Sequence, residues 1–387
     1  ASGGPLTSQT VTTPLGWTNP TAFNPEWGAE TSYTDQNSHV TTATYDALGR
    51  RTQVWLPQHT QAANPSSPSI AYAYTLSQTA ANAIKTSTLG TEAVDIGYAL
   101  FDGLGRAVQT QAAADGGGTI VATTGYDSAA RANWQDNSYW TTSVSPSATL
   151  FVPSTETSIP SQMRTTYDAA GRATAIATWQ TGTERFETDH VYRGADRVDT
   201  TPPAGGTATS VYTDSLGQKA KLVQYLGGTV SGTGQATTYG YNAAGQMTRM
   251  TDPAGNVWTW AYDVLGRQVT AADPDTGTTT SSYDDAGNLL TSTDARGQTV
   301  AYTYDSLNRK TAAYSGSTTG SLLEGWVYDT VAKGDLTSSS SYTGSTPGTP
   351  GLAYTASVGA YDAADQPTST TVSIPAGAPA FGGTSYT

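Results

Sequence analysis

At 387 residues, with 31 acidic against 18 basic side chains and a net charge of −13, the chain has no electrostatic footprint for nucleic acid or an anionic lipid surface. Cysteine is absent, which excludes disulfides, thiol chemistry and cysteine-based zinc sites. Hydrophobic residues make up 36%, while Gly (41) and Pro (19) are abundant and Tyr (23) and Trp (9) outnumber Phe (5) and Met (3), so many turns, little helix and half-wet aromatic surfaces are expected.

In chain order, residues 1–40 carry Trp17 and Trp27 without a repeat and are read as an N-terminal capping or linker segment. No basic-then-apolar leader opens the chain, and no apolar run approaches the roughly 18 residues of a membrane span. The sequence is therefore read as a processed or excised piece of a longer one. A six-residue motif then recurs from 41 to 366. It appears as Tyr45-Asp46-Ala-Leu-Gly49-Arg50, Phe101-Asp-Gly-Leu-Gly-Arg106, Tyr126-Asp-Ser-Ala-Ala-Arg131, Tyr167-Asp168-Ala-Ala-Gly171-Arg172 and Tyr262-Asp263-Val-Leu-Gly266-Arg267, with looser copies at Tyr212, Tyr328 and Tyr361. Inserts rich in Pro, Gly, Ser or Thr separate the copies at 57–70, 111–119, 141–160, 201–209 and 341–352, and read as loops within one repeat domain. Residues 367–387 form a Gly/Ser/Thr/Pro-rich C-terminal end, read as truncated.

The pattern is most regular between 242 and 308. Turn signals begin at Asn242, Asp252, Asp263, Asp273, Asp284, Asp294 and Asp305, in steps of 10, 11, 10, 11, 10 and 11 residues. Asp at the first position and Gly at the fourth suit a type I turn, and a left-handed Gly, or Asn308, suits the bulge that closes a hairpin. Between the turns, Trp258, Trp260 and Tyr262 alternate with smaller residues, as do Val300, Tyr302 and Tyr304. That is the period of a strand. Each 21-residue unit, marked by Tyr262-Asp263, Tyr283-Asp284-Asp-Ala-Gly287 and Tyr304-Asp305, is two short antiparallel strands of a long meander.

The Tyr-Asp-x-x-Gly-Arg copies resemble the YD repeat of the RHS family, which includes bacterial Rhs polymorphic toxins, the C components of Tc toxin complexes, wall-associated proteins and teneurins. The resemblance covers residues 41–366. It implies an all-β fold in which the meander winds into a spiral, hollow shell, a β-cocoon or part of one. In toxin members the shell encloses a cytotoxic C-terminal segment of the same polypeptide. Accumulated strand twist and the hiding of sheet edges are compatible with such a wall.

Chemistry is sparse. Histidine occurs only at 39, 59 and 190, and no nucleophile-elbow, zinc-protease, P-loop or dinucleotide motif is present, so no catalytic residue, metal ligand or cofactor is expected. His190 reads as an ordinary strand or loop residue. Asp273-Pro-Asp275-Thr-Gly277 has two carboxylates but falls where the rhythm requires a turn, and lacks the remaining ligands of a calcium loop. Asp46 with Arg50, Asp168 with Arg172 and Asp263 with Arg267 read as turn formation with a local ion pair. The aromatic residues Trp258, Trp260 and Tyr302 suggest packing between strands, or contact with carbohydrate or an enclosed cargo.

The leading expectation is a non-enzymatic shell segment, bacterial and secreted or on the cell surface, whose partner is the rest of its own polypeptide. A secreted or wall-associated protein binding carbohydrate or neighbouring cells is the alternative. An extracellular fibre of stacked arrays is a lesser one.

Overall fold

The computed structural model describes residues 4–91, 93–376 and 385–386. Among the described residues there are 31 strands and two single-turn 3-10 segments, Pro57–His59 and Glu156–Ser158. The segment 1–40 contains the strands Ser8–Thr12, Thr18–Phe23 and Glu30–Thr34. The C-terminal end begins with the strand Pro367–Ser373, and its residues 377–384 and 387 lie outside the described residues.

The chain divides into two compact units, residues 1–68 with 257–387, and residues 69–256. In the first, the strands from Ser8–Thr12 to Arg51–Trp55 each pair antiparallel with the next, and so do those from Val257–Tyr262 to Pro367–Ser373. The second unit is also an antiparallel meander, with one departure. Thr119–Tyr126 has Ala107–Ala113 along one side, while its other side is shared between Ala132–Asp136 and Tyr139–Thr141. The insert 141–160 leaves the sheet there.

The repeat Tyr marks a fixed irregularity. Tyr45, Tyr167, Tyr262, Tyr283 and Tyr304 each follow a register shift and pair with the residue six positions on: Arg51, Ala173, Gln268, Leu289 and Lys310. This is a tight turn closed by a bulge. The closing residue must be left-handed, and Gly266 has φ 83° while Asn308, standing in a glycine place, has φ 62°.

Little of the chain is dry. The accessible surface is 22030 Å² for 40.1 kDa, against roughly 14,000 Å² for a solid domain of that mass. In the strands Thr299–Tyr304 and Lys310–Ser315 the buried side chains are those of Ala301, Ala312 and Ala313. The 69–256 unit buries more. Ala83, Leu100, Gln109, Gln111, Thr119, Val121 and Tyr139 are buried, and the register puts Leu100 opposite Gln109 and Val121 opposite both Gln111 and Tyr139, on one face. The insert 141–160 lies against it. Gln109 donates to the Phe151 carbonyl and accepts from its N–H, while Gln111 donates to the Thr149 carbonyl and accepts from the Ser147 N–H. The two amides offer the insert what a neighbouring strand would.

Candidate functional site

The recurring chemistry sits at the corners. In Tyr45-Asp46-Ala-Leu-Gly49-Arg50 the Asp46 carboxylate accepts from the Leu48 and Arg50 N–H groups and from Arg50 Nε and Nη2 at 2.7 and 2.6 Å. Gly49 lies beneath the Trp27 ring, which a Cβ would meet at 2.8 Å. Asp168 with Arg172 and Asp263 with Arg267 repeat this arrangement, whereas Asp284 has Asn288 in the arginine place. Gly171 and Gly287 close their turns at φ 81° and 91°. Hydrogen bonds to the carboxylates of Asp168 and Asp263, the backbone N–H of Arg172 and Arg267 first, hold both below their ordinary values.

The arginine also joins successive corners. Arg131 lies over the Tyr167 ring at 4.6 Å, and Arg267 over Tyr283 at 4.9 Å. Arg106 covers Tyr126, Arg172 covers Tyr192 and Arg309 covers Tyr328 in the same way. The stacked tyrosine then donates its hydroxyl to the carbonyl directly after that arginine, Ala132 for Tyr167 and Gln268 for Tyr283. Tyr304 donates likewise to Leu289, which follows Asn288, and Tyr45 donates to Glu30. The ion pair expected to be local is thus one part of a clamp reaching the next corner. Neutral hydrogen bonds contribute about 1 kcal/mol each and exposed cation–π contacts somewhat less, so the clamp acts by repetition.

The aromatic face is less open than its sequence suggests. Trp258 and Trp260 are half-buried, with Thr259 and Ala261 exposed on the other side, and Trp258 Nε1 donates to Asp273 at 2.9 Å. Tyr302, across from Ala313, has Lys310 Nζ 4.1 Å from its ring. Tyr262, half-buried, ends the same strand as the two tryptophans. Asp273 accepts from the N–H groups of Asp275 and Thr276, and Gly277 follows at φ 82°, so the segment 273–277 is a turn. His190 is a strand residue, its Nδ1 3.1 Å from Thr200 Oγ1.

A conjunction that spacing could not reveal involves Asp35, His39 and Asp365. Their ligand atoms lie within 4.8 Å of one another, and among the described residues this is the one such group. The residues sit in turns about 330 positions apart in sequence.

The model for the RHS Repeat matches residues 228–257, 241–278 and 283–319, the run in which corners and clamps are most regular. Residues 228–278 and 283–319 are RHS repeats. The chain is also similar to solved structures. One is TcdB2-TccC3, at 15% identity and TM-score 0.72 over 94% of this chain and 21% of that one. A second is TcdB2-TccC3 without its hypervariable C-terminal region, at 14% identity and TM-score 0.74 over 94% and 23%. A third is the Photorhabdus luminescens Tc holotoxin pore, at 14% identity and TM-score 0.72 over 93% of this chain and 23% of that one. At such identities the likeness is one of fold: the all-β antiparallel meander is that of the Tc-toxin RHS shell. This chain spans about a fifth of the length of these solved chains. No curated protein sequence matches it.

Proposed function

We propose that this RHS segment is a length of wall in a larger polypeptide, and that the wall encloses the polypeptide's own C-terminal toxin or effector segment until delivery outside the producing cell. The observation that carries the reading is the clamped corner. Each Asp–Arg–Tyr unit fixes one hairpin to the next without needing a dry core, which is what a thin wall requires. The role is structural rather than catalytic, and its functional surface is whatever the wall faces. Half-burial of Trp258 and Trp260, with Trp258 tied to Asp273, favours the wall over a carbohydrate platform at this place.

The test is imaging and limited proteolysis of the full-length polypeptide. The expected outcome is a closed particle whose C-terminal segment resists protease until the particle is opened by denaturant. Open filaments, or a C-terminal segment cut as fast as the same segment made alone, would refute the proposal. Replacing Trp258 and Trp260 by Ala then asks whether this face holds cargo: faster escape after opening supports contact, and unchanged escape removes it.

A further inference from the structure

Three corners of the 1–68 with 257–387 unit depart from the repeat, and they meet. In the turn Asp35-Gln-Asn-Ser38-His39, histidine stands where Asp46 and Asp263 have arginine. In the turn from Asp329, the residue before Leu336 is Asp335; in the turn from Asp362 the corresponding residue is Gln366 and the glycine place is taken by Asp365, at φ 56°. The first turn touches the second through Gln36 and Asn37, whose side-chain amides donate to the Lys333 carbonyl, while the Asn37 side chain accepts from the Lys333 N–H. It touches the third through His39.

Three arginines are missing and two carboxylates have been gained. The nearby cations are already engaged: Arg309 pairs with Asp305 and Asp329, and Lys333 Nζ donates to the Gln36 carbonyl. His39 alone faces the rest, its Nδ1 3.0 Å from Asp35 Oδ2 and 3.5 Å from Asp365 Oδ1. An independent sign of a missing partner comes from Asp335. Its Oδ2 is buried with no hydrogen-bond partner.

We propose that Asp35, His39 and Asp365, with Asp335 beside them, bind a divalent transition-metal ion of the zinc type. One imidazole nitrogen with carboxylate oxygens is a donor set for such an ion rather than for calcium or magnesium, which take oxygen alone. The spacing agrees. Zinc bonds of about 2.0–2.2 Å in a tetrahedron set neighbouring ligand atoms roughly 3.3–3.6 Å apart, beside the 3.0 and 3.5 Å seen around His39. The ion would supply the charge that arginine supplies elsewhere and fasten the N-terminal hairpins to the turn at 362–366.

The repeat itself provides variants that remove ligands without harming the corner. His39→Arg restores the Asp–Arg pair seen at Asp46, and Asp365→Gly gives the left-handed position its usual residue. Zn²⁺ alone, and then Mn²⁺ and Ca²⁺, are titrated calorimetrically into the metal-free full chain, and thermal unfolding is followed with and without chelator. Wild type should take up Zn²⁺ at one site, in preference to Ca²⁺, and its unfolding midpoint should rise. Both variants should lose at least tenfold in Zn²⁺ affinity while unfolding, metal-free, no earlier than wild type. Zn²⁺ binding unchanged in both variants, or no Zn²⁺ uptake by wild type, overturns the assignment.

Discussion

The strands between Asn82 and Asp136 and those between Val257 and Ser315 are woven from the same hairpins, yet they are held together differently. In the first stretch an inserted segment lies on one face, and Leu100, Gln109, Gln111, Thr119 and Val121 are at most 2% exposed. In the second, among the described residues, no segment is laid over the strands by a comparable pair of amides, and only alanines are buried. The repeat therefore demands its corners but not a core. A core arises where an insert is long enough to fold back and where the sheet offers groups to receive it.

The largest expected effect breaks the covered face. Leu100→Ala should cost about 3 kcal/mol, because a fully buried leucine leaves a cavity that a close-packed face cannot refill. Leu289→Ala, at a half-buried position of the other stretch, should cost about 1 kcal/mol. Denaturant unfolding of the two variants measures the contrast, and equal losses would show that the stretches do not differ as described. Next comes Gln111→Ala, expected to cost about 2 kcal/mol, since it strands the Thr149 carbonyl and Ser147 N–H. Its specific signature is protease cutting within 141–160 while the strands stay protected.

These two faces also mark what the sequence could disclose. Turns and strands between 242 and 308 are legible because their chemistry is local: an aspartate caps the amides of its own turn, and a left-handed glycine closes it. The insert at 141–160 is legible as a loop, but not its attachment, because Gln109 and Gln111 look like any polar alternation in a strand. The clamp is hidden for another reason. Tyr304 reaches a carbonyl 15 residues back and Tyr167 one 35 residues back, so the loops between corners erase any constant spacing. The meeting of His39 with Asp365 lies beyond pattern reading altogether, since the signal is a departure from the repeat at two distant corners.

In the bare stretch and at its end, the corner should matter more than any apolar side chain. Arg309 is bonded to Asp305 and Asp329 and lies over Tyr328. Its replacement by Ala should cost about 1.5 kcal/mol, more than an exposed pair because the side chain is only 18% exposed and two carboxylates lose their partner. Arg309→Lys should recover only part of this, since an ammonium cannot serve two carboxylates and stack on a ring as a planar guanidinium does. Full recovery by lysine, read in the same unfolding assay, would mean that charge alone carries the corner.

The smallest effect per residue is also the most widely distributed, and its sign follows from the turn carboxylates. Asp263 is held below its ordinary value first by the Arg267 N–H, Asp284 by the Asn288 side chain and Asp294 by the Arg296 side chain. A carboxylate lowered in the folded state contributes stability that is present in full above its unfolded value, near pH 4, and that disappears as pH falls through the folded one. The covered stretch has such residues in Asp102 and Asp127, but there Asp136 works in the opposite sense, its buried carboxyl being pushed up by desolvation. Its protonation on acidification relieves a cost that the folded state bears at neutral pH. Segment-resolved hydrogen exchange between about pH 5 and about pH 3, corrected for intrinsic rates, should therefore show protection falling further in 257–315 than in 82–136. Asp136→Asn should remove the compensation and bring the two stretches closer together, because an amide at this place no longer gains from acid. If protection falls equally in both stretches before that substitution, the corners do not carry the bare sheet.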